Sequence, residues 1–391
     1  MNKHERFTPA LPSVLFLMLM VFFGMLPKTL LSPLLLRISD DLGINFDRAS
    51  LFFLSSSAGY ITGLLISGFL TRYFTHKWTI VTAVAGTSLA AIVLSTVHGE
   101  LSFHILMSAG SLALGLYPGS GITTVTRVAP EKHHGKALAI HELGPNFTFI
   151  LAPVFAAVFA PHFGWRGIML MTGIFGAVSV SLFAIFGHFG DEHGEPPNFK
   201  NLTELAKNPS FWVISALFII GVAAAMGVFS VLPTYLIVEK NLPDQFVNSL
   251  VGTSRITGIA MLLIAGILTD RFGFRPVITV ILLVTGGATL LIGLAGGGLL
   301  IAGVFLQPLF IGAFFPVTIN ELTKVTAPER RSLAVALAFP LSNLVGGGLT
   351  PPLMAAAGAR GYFTPAFVIL GLITMGSVAL LPLMHRKTAA S

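Results

Sequence analysis

The chain is 391 residues long, 54% hydrophobic and only 10% charged, which leaves too little polar surface to cover a water-soluble fold of this size. It reads as a membrane protein. The absence of cysteine removes disulfides and thiolate-bound metals, and the net charge of +7 fits the basic rim of a membrane protein, so no nucleic-acid partner is expected.

Apolar runs fall near 11–35, 48–70, 78–97, 102–126, 136–160 and 166–188, and then near 210–237, 246–269, 276–296, 299–322, 332–357 and 362–385. Most exceed the ~20 residues a helix needs to cross the hydrocarbon, and none shows the polar–apolar alternation of a membrane β-barrel. The reading is an all-α membrane protein with twelve transmembrane helices in two six-helix bundles. The first run is too long for a signal-peptide core and has no small-residue cleavage site, so it counts as a span. A gap holding Asp191, Glu192, Glu195, Pro196, Pro197 and Lys200 separates the halves. The expected organisation is a bundle over 1–188, a linker over 189–209 and a second bundle over 210–391. Of the 23 Lys and Arg, 16 fall on the termini, the linker and the loops after spans 2, 4, 8 and 10. The opposite loops carry Arg37, Arg48, Arg166, Lys240 and Arg360. By the positive-inside rule both termini are cytoplasmic, and a cell (inner) membrane location is expected.

The halves are related by an offset of 198 residues. It sets Leu65–Lys77 against Leu263–Arg275, aligning Gly68 with Gly266, Thr71 with Thr269, Phe74 with Phe272 and Lys77 with Arg275. It also aligns Pro130-Glu131 with Pro328-Glu329. Two matches at one offset indicate a duplicated unit in parallel, pseudo-two-fold repeat.

These features resemble the major facilitator superfamily of secondary transporters over essentially the whole chain. The resemblance rests on the loop pattern Gly-x-x-x-Asp-Arg-x-Gly-x-Arg/Lys, met by Gly266, Asp270, Arg271, Gly273 and Arg275. The first-half copy keeps Gly68 and Lys77 but has Arg72 in place of the acid, Tyr73 for the arginine and Thr75 for the glycine. The resemblance implies that these loops gate the cytoplasmic face; in the first half, where the acid is missing, our expectation is that Arg72 meets an acid such as Glu321 instead.

Ionisable residues inside spans are functional candidates by default. Lys28 follows Pro27 in span 1, with no acid before it there. It reads as a cavity cation or as a lysine snorkelling to the headgroups. Arg255 lies about nine residues into span 8, opposite Ser57 of the first half. A guanidinium facing a small hydroxyl across the repeat suits a position set by the substrate, and its planar fork matches a carboxylate or similar oxyanion. His141 and Glu142 sit in span 5 as candidates for a coupled proton, with Glu142 alternatively capping a gate against Arg127 or Lys132. Tyr117, Gln307 and Asn343 interrupt apolar or Gly/Pro-broken stretches and are further substrate-binding candidates.

No phosphate-binding loop, metal-ligand spacing or nucleophile–base pair is present, so neither an enzyme nor a cofactor is expected. Two cations in a dry cavity are costly unless an anion shares them, which points to a small anionic substrate. Pro27-Lys28 with Arg255 is similar to the monocarboxylate transporters and oxalate-formate antiporters, although in those families the span 8 arginine would fall near Leu262. The cyanate and nitroimidazole carriers, with an Arg-Pro in helix 1, are a more distant likeness. The implied function is carriage of a monocarboxylate-like anion by alternating access, as proton symport or anion exchange, by a monomer. The alternative is drug or metabolite efflux by proton antiport, whose span 5 signature is similar only at Gly144-Pro145.

Overall fold

The structure, a computed structural model, describes residues 7–194, 205–326 and 331–384. Glu195, Pro196, Pro197, Lys200, Pro328 and Glu329, named above, lie outside the described residues. Helices account for nearly all the described residues, and no strand is formed among them. In chain order they are α1 (Leu11–Leu42), α2 (Phe46–Ala49), α3 (Leu51–Leu70), α4 (His76–Leu94), α5 (Glu100–Gly115), α6 (Tyr117–Val128) and α7 (His134–Phe186). There follow α8 (Pro209–Val222), α9 (Val228–Val238), α10 (Asp244–Phe272), α11 (Phe274–Leu294) and α12 (Gly297–Val325). The last are α13 (Arg331–Ser342), α14 (Thr350–Gly358) and α15 (Phe363–Gly376).

Local chemistry explains several boundaries. A proline stands in the first turn of α1, where its missing N–H has no helical partner to lose, and Gly43 closes the helix in the left-handed conformation. Asn208 caps α8 by accepting from the Ser210 amide at 3.0 Å. Gly273, at φ 82 and ψ 168, makes the sharp turn between α10 and α11. A side chain would be strained in that conformation.

Among the described residues, nine helices are long and apolar enough to cross a membrane. One of them, Glu131–Phe186, runs 56 residues, more than twice a single crossing. It contains a backbone break at Gly164 (φ 63, ψ 178), in the gap that the hydropathy pattern leaves between spans 5 and 6. The helix carrying Arg255, α10, is not among the nine. Many large apolar side chains stand exposed on the outside: Leu101 is 72% exposed, Leu353 69% and Ile267 68%. Such surfaces are tolerable in lipid and not in water.

The chain forms two compact units, residues 1–45 with 55–197 and residues 46–54 with 198–391. In the first unit the core holds Leu17, Met20, Ile80, Val84, Val125 and Phe183. Within it α3 and α5 approach backbone to backbone at Gly59, Gly63 and Gly115, where an added Cβ would collide with main-chain oxygens of the neighbouring helix. Small residues four apart permit this close approach in membrane helices. The core of the second unit holds Phe211, Phe218, Ile278, Leu282, Phe314 and Leu322.

Candidate functional site

In the first unit Pro27 interrupts α1 and places Lys28 one residue on. A proline inside a helix leaves the carbonyl four residues earlier without its N–H partner and bends the axis. The Lys28 ammonium lies 4.5 Å from the centre of the Tyr60 ring, the distance of a cation–π contact. Among the described residues it forms no salt bridge. Lys28 and Pro27 also line a cavity of about 20 Å³ with Thr87, Met107, Gly110 and Ser111, room for about one water. Ser57, the repeat counterpart of Arg255, is buried at 1% exposure in α3.

A second cluster forms where α7 crosses α1. A Cβ on Gly144 would stand 2.6 Å from the Met18 carbonyl oxygen, so α7 lies against α1 with no room for a side chain there. Thr29 donates to Thr148 at 3.1 Å across the same pair. This approach brings Tyr117, His141 and Glu142 together. The Tyr117 hydroxyl donates to the Leu17 carbonyl at 2.8 Å and lies 2.9 Å from Nε2 of His141. On the other side of the imidazole, Nδ1 of His141 faces Oε1 of Glu142 at 3.4 Å. His141 is buried, its side chain 3% exposed, whereas Glu142 is half exposed. Of the adjacent pair, then, the imidazole points inward. Tyr117 is only 1% exposed and its hydroxyl is engaged inside the unit.

In the second unit the Arg255 guanidinium lies 4.7 Å from the Phe229 ring centre. Its Nε is buried with no hydrogen-bond partner among the described residues, and it makes no salt bridge among them. Two π-helical segments lie close by in this unit, Ala223–Gly227 between α8 and α9 and Asn343–Leu349 between α13 and α14. They touch: a Cβ on Gly346 would stand 2.6 Å from the Ala223 nitrogen. Gln307 of α12 donates from Nε2 to the Ala224 carbonyl at 2.8 Å, while its Oε1 is buried without a partner among the described residues. Asn343 opens the second π segment and donates to Phe339 one turn earlier, at 3.0 Å. Sequence reasoning missed Phe229, Tyr60 as the seat of Lys28, and both π segments. The available signals were the Gly346-Gly347-Gly348 run and the Ala223-Ala224-Ala225 run, which offer small side chains where the helices widen.

The two copies of the loop motif differ in their surroundings. In the second, Gly266, Asp270 and Arg271 belong to α10, Gly273 makes the turn, and Arg275 donates to the Met384 carbonyl at 2.8 Å. In the first, Gly68 belongs to α3 and Arg72 is exposed, its guanidinium 5.9 Å from the Tyr73 ring centre. The chain after α7 turns back onto this loop. The His76 amide donates to the Glu192 carbonyl at 3.0 Å, the Lys77 amide to the Gly190 carbonyl at 2.7 Å and the Gly194 amide to the Thr71 carbonyl at 2.8 Å. Glu192 pairs with Arg127, so Arg127 is already matched by an acid other than Glu142. Glu321 lies in α12.

Residues 17–261 and 241–391 match the profile of the Major Facilitator Superfamily. Over 118 residues the chain is 30% identical to a protein of Cupriavidus necator described as a probable sulfoacetate transporter, and over 152 residues 28% identical to a putative metabolite transport protein of Haemophilus influenzae. These matches span 30% and 38% of this chain, and only 27% and 36% of the two relatives. Among solved structures, the nucleoside transporter NupG superposes with a TM-score of 0.78 at 14% identity, covering 97% of this chain and 100% of that one. A bacterial homologue of the lysosomal transporter Spinster, inward-facing, gives 0.75 at 13% identity, covering 96% and 95%. The Escherichia coli fucose:proton symporter gives 0.68 at 17% identity, covering 97% and 100%. At these identities the likeness is one of fold.

Proposed function

The chain belongs to the major facilitator superfamily, and on that footing we propose that this transporter carries a small organic anion by alternating access. Each unit offers a cation inside an expected span, Lys28 and Arg255, set against an aromatic face and in no salt bridge among the described residues. That pair of uncompensated charges is the observation that carries the reading. An unpaired charge in a poorly hydrated site is costly unless a ligand of opposite charge arrives. The chemistry of the two differs usefully. A lysine is a compact point charge, whereas an arginine presents a planar fork suited to a carboxylate or sulfonate. The partial match to a probable sulfoacetate transporter supports an organic acid of this kind.

In this reading twelve helices form two six-helix bundles joined by the linker over 189–209, with both termini cytoplasmic in a cell membrane and the transporter acting as a monomer. Ser57, Gln307 and Asn343 are further substrate-binding candidates. The motif residues Gly68, Arg72, Lys77, Gly266, Asp270, Arg271, Gly273 and Arg275, with Glu321, act as gate elements. The test is counterflow of labelled sulfoacetate and of short monocarboxylates in proteoliposomes. Lys28→Ala and Arg255→Ala should each abolish saturable exchange. If both variants exchange anions as the parent does, the anion site is misplaced.

A further inference from the structure

We propose that His141 and Glu142 share one exchangeable proton between Nδ1 and Oε1, and that Tyr117 is the positioning residue that makes them do so. The inference deepens the transporter reading by placing its coupled proton. It begins from hydrogen-bond direction. A phenolic hydroxyl has a single proton, and a backbone carbonyl can only accept. Tyr117 therefore gives its proton to the Leu17 carbonyl, 2.8 Å away. Its oxygen then presents only lone pairs to Nε2 of His141, 2.9 Å away, so Nε2 must be the donor.

A neutral imidazole protonated on Nε2 has a bare Nδ1. That nitrogen faces Oε1 of Glu142 at 3.4 Å. Two lone pairs in opposition repel, and one added proton turns the contact into a hydrogen bond, whichever of the two atoms holds it. Loss of the proton leaves a carboxylate facing a lone pair, and the half-exposed Glu142 is free to turn away while the buried ring stays. The pair thus holds its proton as a unit and links it to the position of one carboxylate. The groups around it are few. Tyr117 of α6 faces the ring, Tyr60 of α3 is near enough to Glu142 to interact with it electrostatically, and Lys28 of α1 sits over Tyr60. On α7 itself, Asn146 donates to the Glu142 main-chain carbonyl, not to its carboxylate. No further ion pair reaches either side chain among the described residues.

The direct test is the ring-nitrogen NMR spectrum of the full chain labelled with ¹⁵N-histidine, with the His141 signals identified by their loss in His141→Gln. The expected result is a neutral imidazole that carries its proton on Nε2. A neutral ring protonated on Nδ1 would overturn the proposal. The functional test is the pH profile of sulfoacetate uptake. Tyr117→Phe removes the acceptor that holds the proton on Nε2, so the pH profile of uptake should differ from that of the parent. Glu142→Gln should flatten the profile. An unchanged profile in both variants would overturn the coupling. A wild type that exchanges no organic anion would instead sink the anion reading, and the NMR result would still decide the proton's place.

Discussion

Replacing Arg255 by Met separates a substrate-binding cation from a structural one. The guanidinium rests 4.7 Å from the Phe229 ring centre and its buried Nε has no hydrogen-bond partner among the described residues. Methionine is of similar reach, so the contact with the ring is kept in kind. The lost cation–π attraction is worth about 0.5–2 kcal/mol and the thioether–aromatic contact returns about 0.3–1.5 kcal/mol, so the two nearly cancel. What remains is relief of the unsatisfied Nε, about 1–3 kcal/mol. The empty variant should therefore be as stable as the parent or more so. Ligand binding should move the opposite way. At a hundred times its Kd a ligand stabilises by about 2.7 kcal/mol. Removing one charge-assisted contact of about 1.5–3 kcal/mol weakens binding about 10- to 150-fold and erases from about half to nearly all of that gain. Thermal unfolding in detergent, with and without sulfoacetate, reads both quantities. A variant that loses more than about 2 kcal/mol when empty, yet keeps the full ligand-induced rise, would show that Arg255 holds the fold together and not the anion.

Two further substitutions test the packing that positions the site. Gly144→Val pushes α7 away from the Met18 carbonyl, so it should cost about 1–3 kcal/mol and disturb the pH profile of uptake through His141. A variant as stable as the parent, with an unaltered profile, would mean that the α1–α7 contact does not set the cluster. Gly273→Ala places a side chain at φ 82 and ψ 168, which strains the α10–α11 turn by about 1–3 kcal/mol. Its thermal midpoint should fall even though nothing stands within 4 Å of the new methyl, and an unchanged midpoint would argue against strain.

Much of this was legible in the chain itself. The length of the apolar runs named the helices, and the 198-residue offset exposed Arg255 over Ser57 and the unequal loop motifs. Residue type and neighbourhood also singled out Lys28, His141 and Glu142, because an ionisable group in an apolar run is visible without a fold. The partners were not visible. Tyr117 read as a substrate-binding candidate, and its hydroxyl donates to the Leu17 carbonyl, 100 residues earlier. Arg127 offered itself to Glu142, but the chain after α7 folds back and supplies Glu192. Nothing local in the sequence encodes that return.

The sequence by itself determined the membrane, the helices, the family and the identity of the few charged groups in the spans. These follow from composition, run length and motif spacing, all properties of neighbouring residues. Only the tertiary structure decided what each charged group faces. Lys28 lies on Tyr60, Arg255 on Phe229, and His141 between Tyr117 and Glu142. It also decided where helices widen into π segments, at Ala223–Gly227 and Asn343–Leu349. The physical reason is the same for all. A contact between helices depends on the depth at which small residues such as Gly144 let two backbones meet, and that depth is a property of the pair.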